Sequence, residues 1–137
     1  MADYYTDADL PEMRALKTAF LKALDLAESD MNKTMVIAIQ DAESLHNEVF
    51  DSMLGKDFIR TLQEEGNAEY GEVTVYLQTE DYVPEDFKSG PMFASHLTLG
   101  LLSNLEESSK ATHLIYMPTS EEKMEKFRKT HPSAHMI

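Results

Sequence analysis

The chain has neither cysteine nor tryptophan, and its 137 residues include only five glycines, five prolines and 12 lysines and arginines against 25 acidic side chains. Each shortage excludes something. Without cysteine there is no disulfide framework, thiolate zinc site or cysteine nucleophile, and the usual mark of an oxidising compartment is missing, so the cytoplasm is the expected location. With no long apolar run, and a polar, acidic stretch from Met1 to Asp9, neither a signal peptide nor a membrane span is expected. A formal charge of −13 opposes approach to phosphate backbones and anionic membranes, so direct nucleic-acid binding through a broad basic footprint is not expected. No Pro-, Gly- or Ser-rich linker and no repeat divides the sequence, and residues 1–137 read as a single α/β domain. A domain of this mass should fold to about 7,000 Å² of surface, burying roughly 68–70% of what the unfolded chain exposes.

The hydrophobic residues that are present carry two periods. Leu10, Met13, Leu16, Phe20, Leu24 and Ala27 recur at three- and four-residue steps, which predicts a helix over 10–28 with Asp9 as its cap. Thr34 to Ile39 is a continuous apolar run of strand length, as expected of a strand covered on both faces. Leu45 to Leu54 returns to helical spacing until Gly55, and Asp57 suits the cap of a shorter helix reaching Gly66. Glu72 to Gln78 alternates Val73, Val75 and Leu77 with polar residues, which suggests an edge strand. A fourth helix is expected over Met92 to Leu105, opened by Ser89 and Pro91, with Phe93, Leu97, Leu101 and Leu105 on one face. His113 to Met117 reads as a strand, and Thr119 with Glu122 as the capping box of a last helix. The order α-β-α-α-β-α-β-α predicts a three-layer sandwich around a small, three-stranded, mostly parallel sheet. Residues 131–137 end in the apolar pair Met136 and Ile137, a tail that is either flexible or docks on the domain or on a second copy, so a homodimer stays open.

Charge and aromatic residues point to the first candidate surface. Residues 67–111 carry −6, and the irregular stretch Thr79 to Gly90 sets Tyr82 and Phe87 among Glu80, Asp81, Glu85 and Asp86. Aromatic anchors ringed by charge suit a protein interface, so the leading expectation is a non-catalytic, regulatory or inhibitory module binding a protein with a basic surface. Nine methionines sit mostly with other apolar residues, as core gap-fillers do.

The second candidate is the edge where parallel strands end. Gln40, Asp41, Glu43 and Ser44 follow the first predicted strand, Thr79, Glu80 and Asp81 the second, and Pro118, Thr119 and Ser120 the third. Asp41 and Asp81 converging there would hold Mg²⁺, with Ser44, Thr119 or Ser120 and a helix N-terminus receiving the phosphate of a small substrate. Against this, no Gly-rich turn, P-loop or Rossmann fingerprint accompanies them, and Asp41, Ser44 and Thr119 serve equally as ordinary helix caps. A third reading is an acidic protein whose carboxylates imitate nucleic-acid phosphates and occupy a basic groove.

Histidine offers less. His96-Leu97-Thr98-Leu99 resembles the short His-hydrophobic-Thr-hydrophobic motif of the two-histidine phosphoesterases, whose activity requires a second copy on a facing strand. The only other candidate, His131-Pro132-Ser133, lies in the tail, and His96 falls in a predicted helix, where a packed neutral imidazole is expected. His131 and His135 are four apart, but Pro132 prevents the helix that would bring them to one metal. No Gly-x-Ser-x-Gly elbow supports a serine nucleophile.

Overall fold

The computed structural model describes residues 2–108 and 110–137. Among these residues seven strands form one sheet in the order β3-β4-β2-β5-β6-β1-β7, where β1 is Asp3–Tyr5, β2 Thr34–Ala38, β3 Asn67–Tyr70, β4 Val73–Gln78, β5 Gly90–Ser95, β6 Ala111–Met117 and β7 His135–Met136. Every pairing is parallel except that of β3 with β4. The three-stranded sheet expected from sequence is thus a seven-stranded one, with the α/β class and the mostly parallel character retained.

Among the described residues five α-helices cover it: α1 Glu12–Glu28, α2 Glu48–Leu54, α3 Lys56–Glu65, α4 Leu99–Ser108 and α5 Glu121–Thr130. Strand side chains alternate between two cores. Met35, Ile37, Val75, Phe93 and Ile115 pack against α1, α2 and α3 on one face. Val36, Ala38, Met92, Ala94, Leu114 and Tyr116 pack against Leu102 and Leu105 of α4 and Met124 and Phe127 of α5 on the other. Burial on both sides explains the unbroken apolar runs of β2 and β5. The folded surface is 7226 Å².

The departures from the expected elements have local causes. β4 is no edge strand, because the hairpin turn at Gly71 and Glu72 folds Asn67–Tyr70 back against it, and Gly71 supplies the positive φ of 63° that the tight turn requires. The helix expected over Met92–Leu105 is in fact two elements. Gly90–Ser95 is a strand, and Pro91, which lacks an N–H, sits where the β5–β6 register shifts, at a site that spares the ladder. Gly90 is required there, since a β-carbon on it would collide with the carbonyl oxygen of Thr34. Three expected caps move by a residue or two. Pro11, not Asp9, precedes α1, Gly55 precedes α3 in place of Asp57, and Ser120 rather than Thr119 caps α5, its hydroxyl accepting from the Lys123 N–H at 3.2 Å. The tail lies along the sheet, with β7 beside β1 and the Ile137 N–H donating to the Tyr5 carbonyl at 2.9 Å. Among the described residues no helix is long and apolar enough to cross a membrane.

Candidate functional site

The carboxyl ends of the six parallel strands share one edge, and at one point along it the chain leaves adjacent strands in opposite directions. After β1 it passes to α1 on one face; after neighbouring β6 it passes to α5 on the other. Diverging connections leave a crevice, which is where open α/β sheets bind ligands. A cleft of about 440 Å³ occupies it, lined by Asp7, Ala8, Leu10, Glu12 and Ala15 from the β1–α1 region, His96 beyond β5, and Met117, Pro118, Thr119 and Lys123 beyond β6. That volume falls at the small end of ligand sites, which run from about 300 to 1,000 Å³.

His96 is fixed from three sides. Its backbone is left-handed, with φ of 52°, a conformation that costs a non-glycine residue about 1–2 kcal/mol and that ends β5 abruptly. Its Nδ1 meets the hydroxyl of Ser95, which is 0% exposed, and its Nε2 lies 3.1 Å from Glu12 Oε1. The ring also rests near Phe50 of α2, centroids 5.7 Å apart. When the Ser95 O–H donates to Nδ1, Nε2 carries the proton and donates to the Glu12 carboxylate. The array of hydroxyl, imidazole and carboxylate can hold or pass a proton at the mouth of the cleft. Ser95 is buried, so it orients the ring and does not face a substrate. His96 therefore stands at a strand end, not in the helix expected of it.

The opposite wall carries Lys123, whose Nζ donates to the Thr119 hydroxyl at 3.3 Å. Asp7 receives the Asp9 N–H on Oδ1 at 3.0 Å. Among the described residues neither Lys123 nor Asp7 takes part in an ion pair, although both are only partly exposed.

Of the residues singled out from sequence, His96, Pro118 and Thr119 line this cleft, whereas Asp41, Glu80 and Asp81 follow β2 and β4 elsewhere on the same edge. Asp41 caps the 3-10 turn Ala42–Leu45, its Oδ1 accepting from the Ser44 N–H at 2.9 Å and the Ser44 hydroxyl at 3.0 Å. Its neighbour Gln40 donates to Glu80 Oε2 at 2.9 Å, tying the ends of β2 and β4. No group of three or more His, Asp or Glu side chains that could hold a metal ion occurs among the described residues. Asp81, Tyr82, Glu85 and Asp86 line a second groove of about 410 Å³ with Asn67, Tyr76, Val83 and Pro84. Within it the Tyr76 hydroxyl is held above its ordinary value of 10.0, by burial first and then by the charges of Asp86 and Glu69. Phe87, expected at the surface as an anchor, is 3% exposed and packs on Tyr76 with centroids 5.8 Å apart. Tyr82 is 45% exposed. Its hydroxyl lies close over Gly66, where a β-carbon would come within 2.7 Å.

Compared with known proteins, the chain matches no family model, no curated protein and no solved structure. Sequence reasoning reached Pro118 and Thr119 as strand-end residues but missed Asp7, Glu12 and Lys123. The one signal it passed over is Tyr4-Tyr5-Thr6, a β-prone triplet followed by Asp7 and a helix start.

Proposed function

We propose that the chain is a small-molecule-binding domain whose ligand lodges at the carboxyl ends of β1, β5 and β6, with the Glu12–His96 pair equipping the site for proton transfer to or from what is bound. The observation that carries this reading is the coincidence of the cleft with the point where the connections after β1 and β6 diverge to opposite faces. The left-handed His96 adds to it, because backbone strain held at a crevice commonly belongs to a working site. The test is thermal unfolding against a panel of amino acids, sugar phosphates and nucleotides, each with and without Mg²⁺, since Asp41 and Asp81 follow adjacent strands. A ligand at one hundred times its Kd adds about 2.7 kcal/mol to the folded state. The reading expects a rise in midpoint with a panel member that disappears in Ala8→Trp, which fills the cleft. Indifference of the native protein to every member overturns it.

A second reading has its own observation. Tyr82 and Val83 are exposed beside Asp81, Glu85 and Asp86 in the groove above β4, which suits a basic protein partner. Affinity capture that fails equally with native protein and with Tyr82→Ala, Val83→Ser would remove it. An imitation of nucleic-acid charge has no comparable support beyond net charge.

A further inference from the structure

The crevice between β1 and β6 holds charges of both signs that do not satisfy one another. Asp7 and Glu12 enter from the β1–α1 side, and Lys123 enters from α5. Glu12 has His96 as its partner, whereas among the described residues neither Asp7 nor Lys123 forms a close ion pair, with each other or elsewhere, and Lys123 acts only at longer range on its exposed neighbour Glu122. Two half-exposed, opposite charges across an open cleft each lack a close ion-pair partner within it. A side chain's charge is costly to dehydrate alone, so the arrangement favours a ligand that brings both missing charges at once.

The composition of the walls narrows the class. One lysine facing two carboxylates is poor company for a phosphate dianion, which would gain one attraction and meet two repulsions. A carboxylate on Lys123 and the Thr119 hydroxyl, with an ammonium on Asp7, matches both of those charges and leaves Glu12 to the His96 N–H. Between them Leu10, Ala15 and Pro118 offer an apolar surface for a short hydrocarbon chain. Resting on the reading that this cleft is the ligand site, we infer that its ligand is a small zwitterion of the amino-acid class, with its ammonium on Asp7, its carboxylate on Lys123 and an apolar side chain against Leu10 and Pro118.

The experiment compares L-leucine with its two halves, 4-methylpentanoate, which lacks the ammonium, and 3-methylbutylamine, which lacks the carboxylate, and with glycerol 3-phosphate. Amide shifts of Ala8, Glu12, His96, Thr119 and Lys123 in the intact protein report binding. The expected result is that leucine perturbs these amides and each half binds at least tenfold more weakly. Lys123→Gln should cost leucine at least tenfold while leaving 3-methylbutylamine unchanged, and Asp7→Asn should do the converse with 4-methylpentanoate. Both positions are at the surface of the cleft, and an unchanged amide spectrum elsewhere certifies that each variant is folded. If either half equals leucine, or if only glycerol 3-phosphate moves these amides, the zwitterion is wrong while the strand-end site stands. If none of the four moves them, the zwitterion is wrong, and the strand-end site stands or falls with the wider thermal panel.

Discussion

Two ends of one sheet edge meet the same problem and solve it differently. Beyond β1 and β6, helices leave to opposite faces and a crevice opens, holding both signs of charge. Beyond β4, no helix follows. The segment 79–89 instead folds over the face of β4 and β2, and Phe87 enters the core where a helix would otherwise have packed. Its charges, the acids Glu80, Asp81, Glu85 and Asp86 against the single base Lys88, all face water. A cover must bury its aromatic residues and shed its charges outward, whereas a crevice between diverging helices keeps its charges half-buried and available.

That contrast is breakable. The largest effect is expected in the cover: Phe87→Ala removes a buried ring and should cost about 3 kcal/mol of unfolding free energy, while Tyr82→Ala should cost about 1 kcal/mol. Denaturant melts decide it, and equal small losses would mean that the segment is a platform and not a cover. The crevice yields a middling effect. His96→Val forces a β-branched residue into a left-handed backbone and should be less stable than His96→Asn by about 1–2 kcal/mol, because Asn tolerates that conformation. Equal stability of the two would show that the turn relaxes and that the ring's placement is not held by the backbone. The smallest effect lies in His113, in the half of β6 away from the crevice. Burial lowers its pKa below the ordinary 6.5, so the folded chain binds the proton less readily than the unfolded one. Its contribution is therefore intact above pH 6.5 and is lost as pH falls through the folded value. Melts at pH 7 and pH 5 should show the native protein losing more stability than His113→Gln, and an equal loss would assign the acid sensitivity to carboxylates.

The sequence spoke clearly where an element was long and its period unbroken. Helix α1, strand β2 and helix α5 were all legible, because each repeats its pattern over enough residues to outweigh accident. β1, β3 and β7 were not, since two to four residues cannot establish a period, and their pairing depends on partners far along the chain. The misreading of 92–105 has a different origin. Phe93 and Leu97 lie on opposite sides of a break at His96, and their four-residue spacing continued the helical rhythm across it by coincidence. Missing β1 also hid the crevice, because Asp7 and Glu12 acquire their meaning only as the residues that follow a strand beside β6. The strand-end carboxylates Asp41 and Asp81 were visible for the opposite reason: they follow the two strands whose patterns were easiest to see.

The position of β1 has a kinetic consequence. It lies between β6 and β7, so the earliest strand in the chain acquires its neighbours only from residues 111–117 and 135–136. Contacts of that sequence separation carry a large loop-closure cost and slow the search for the native pairing. During synthesis β1 has open backbone groups on both sides until residues 111–117 have been made, and until then β5 presents an open edge to any passing strand. The crevice, whose one wall begins where β1 ends, is accordingly among the last parts of the molecule to come into being.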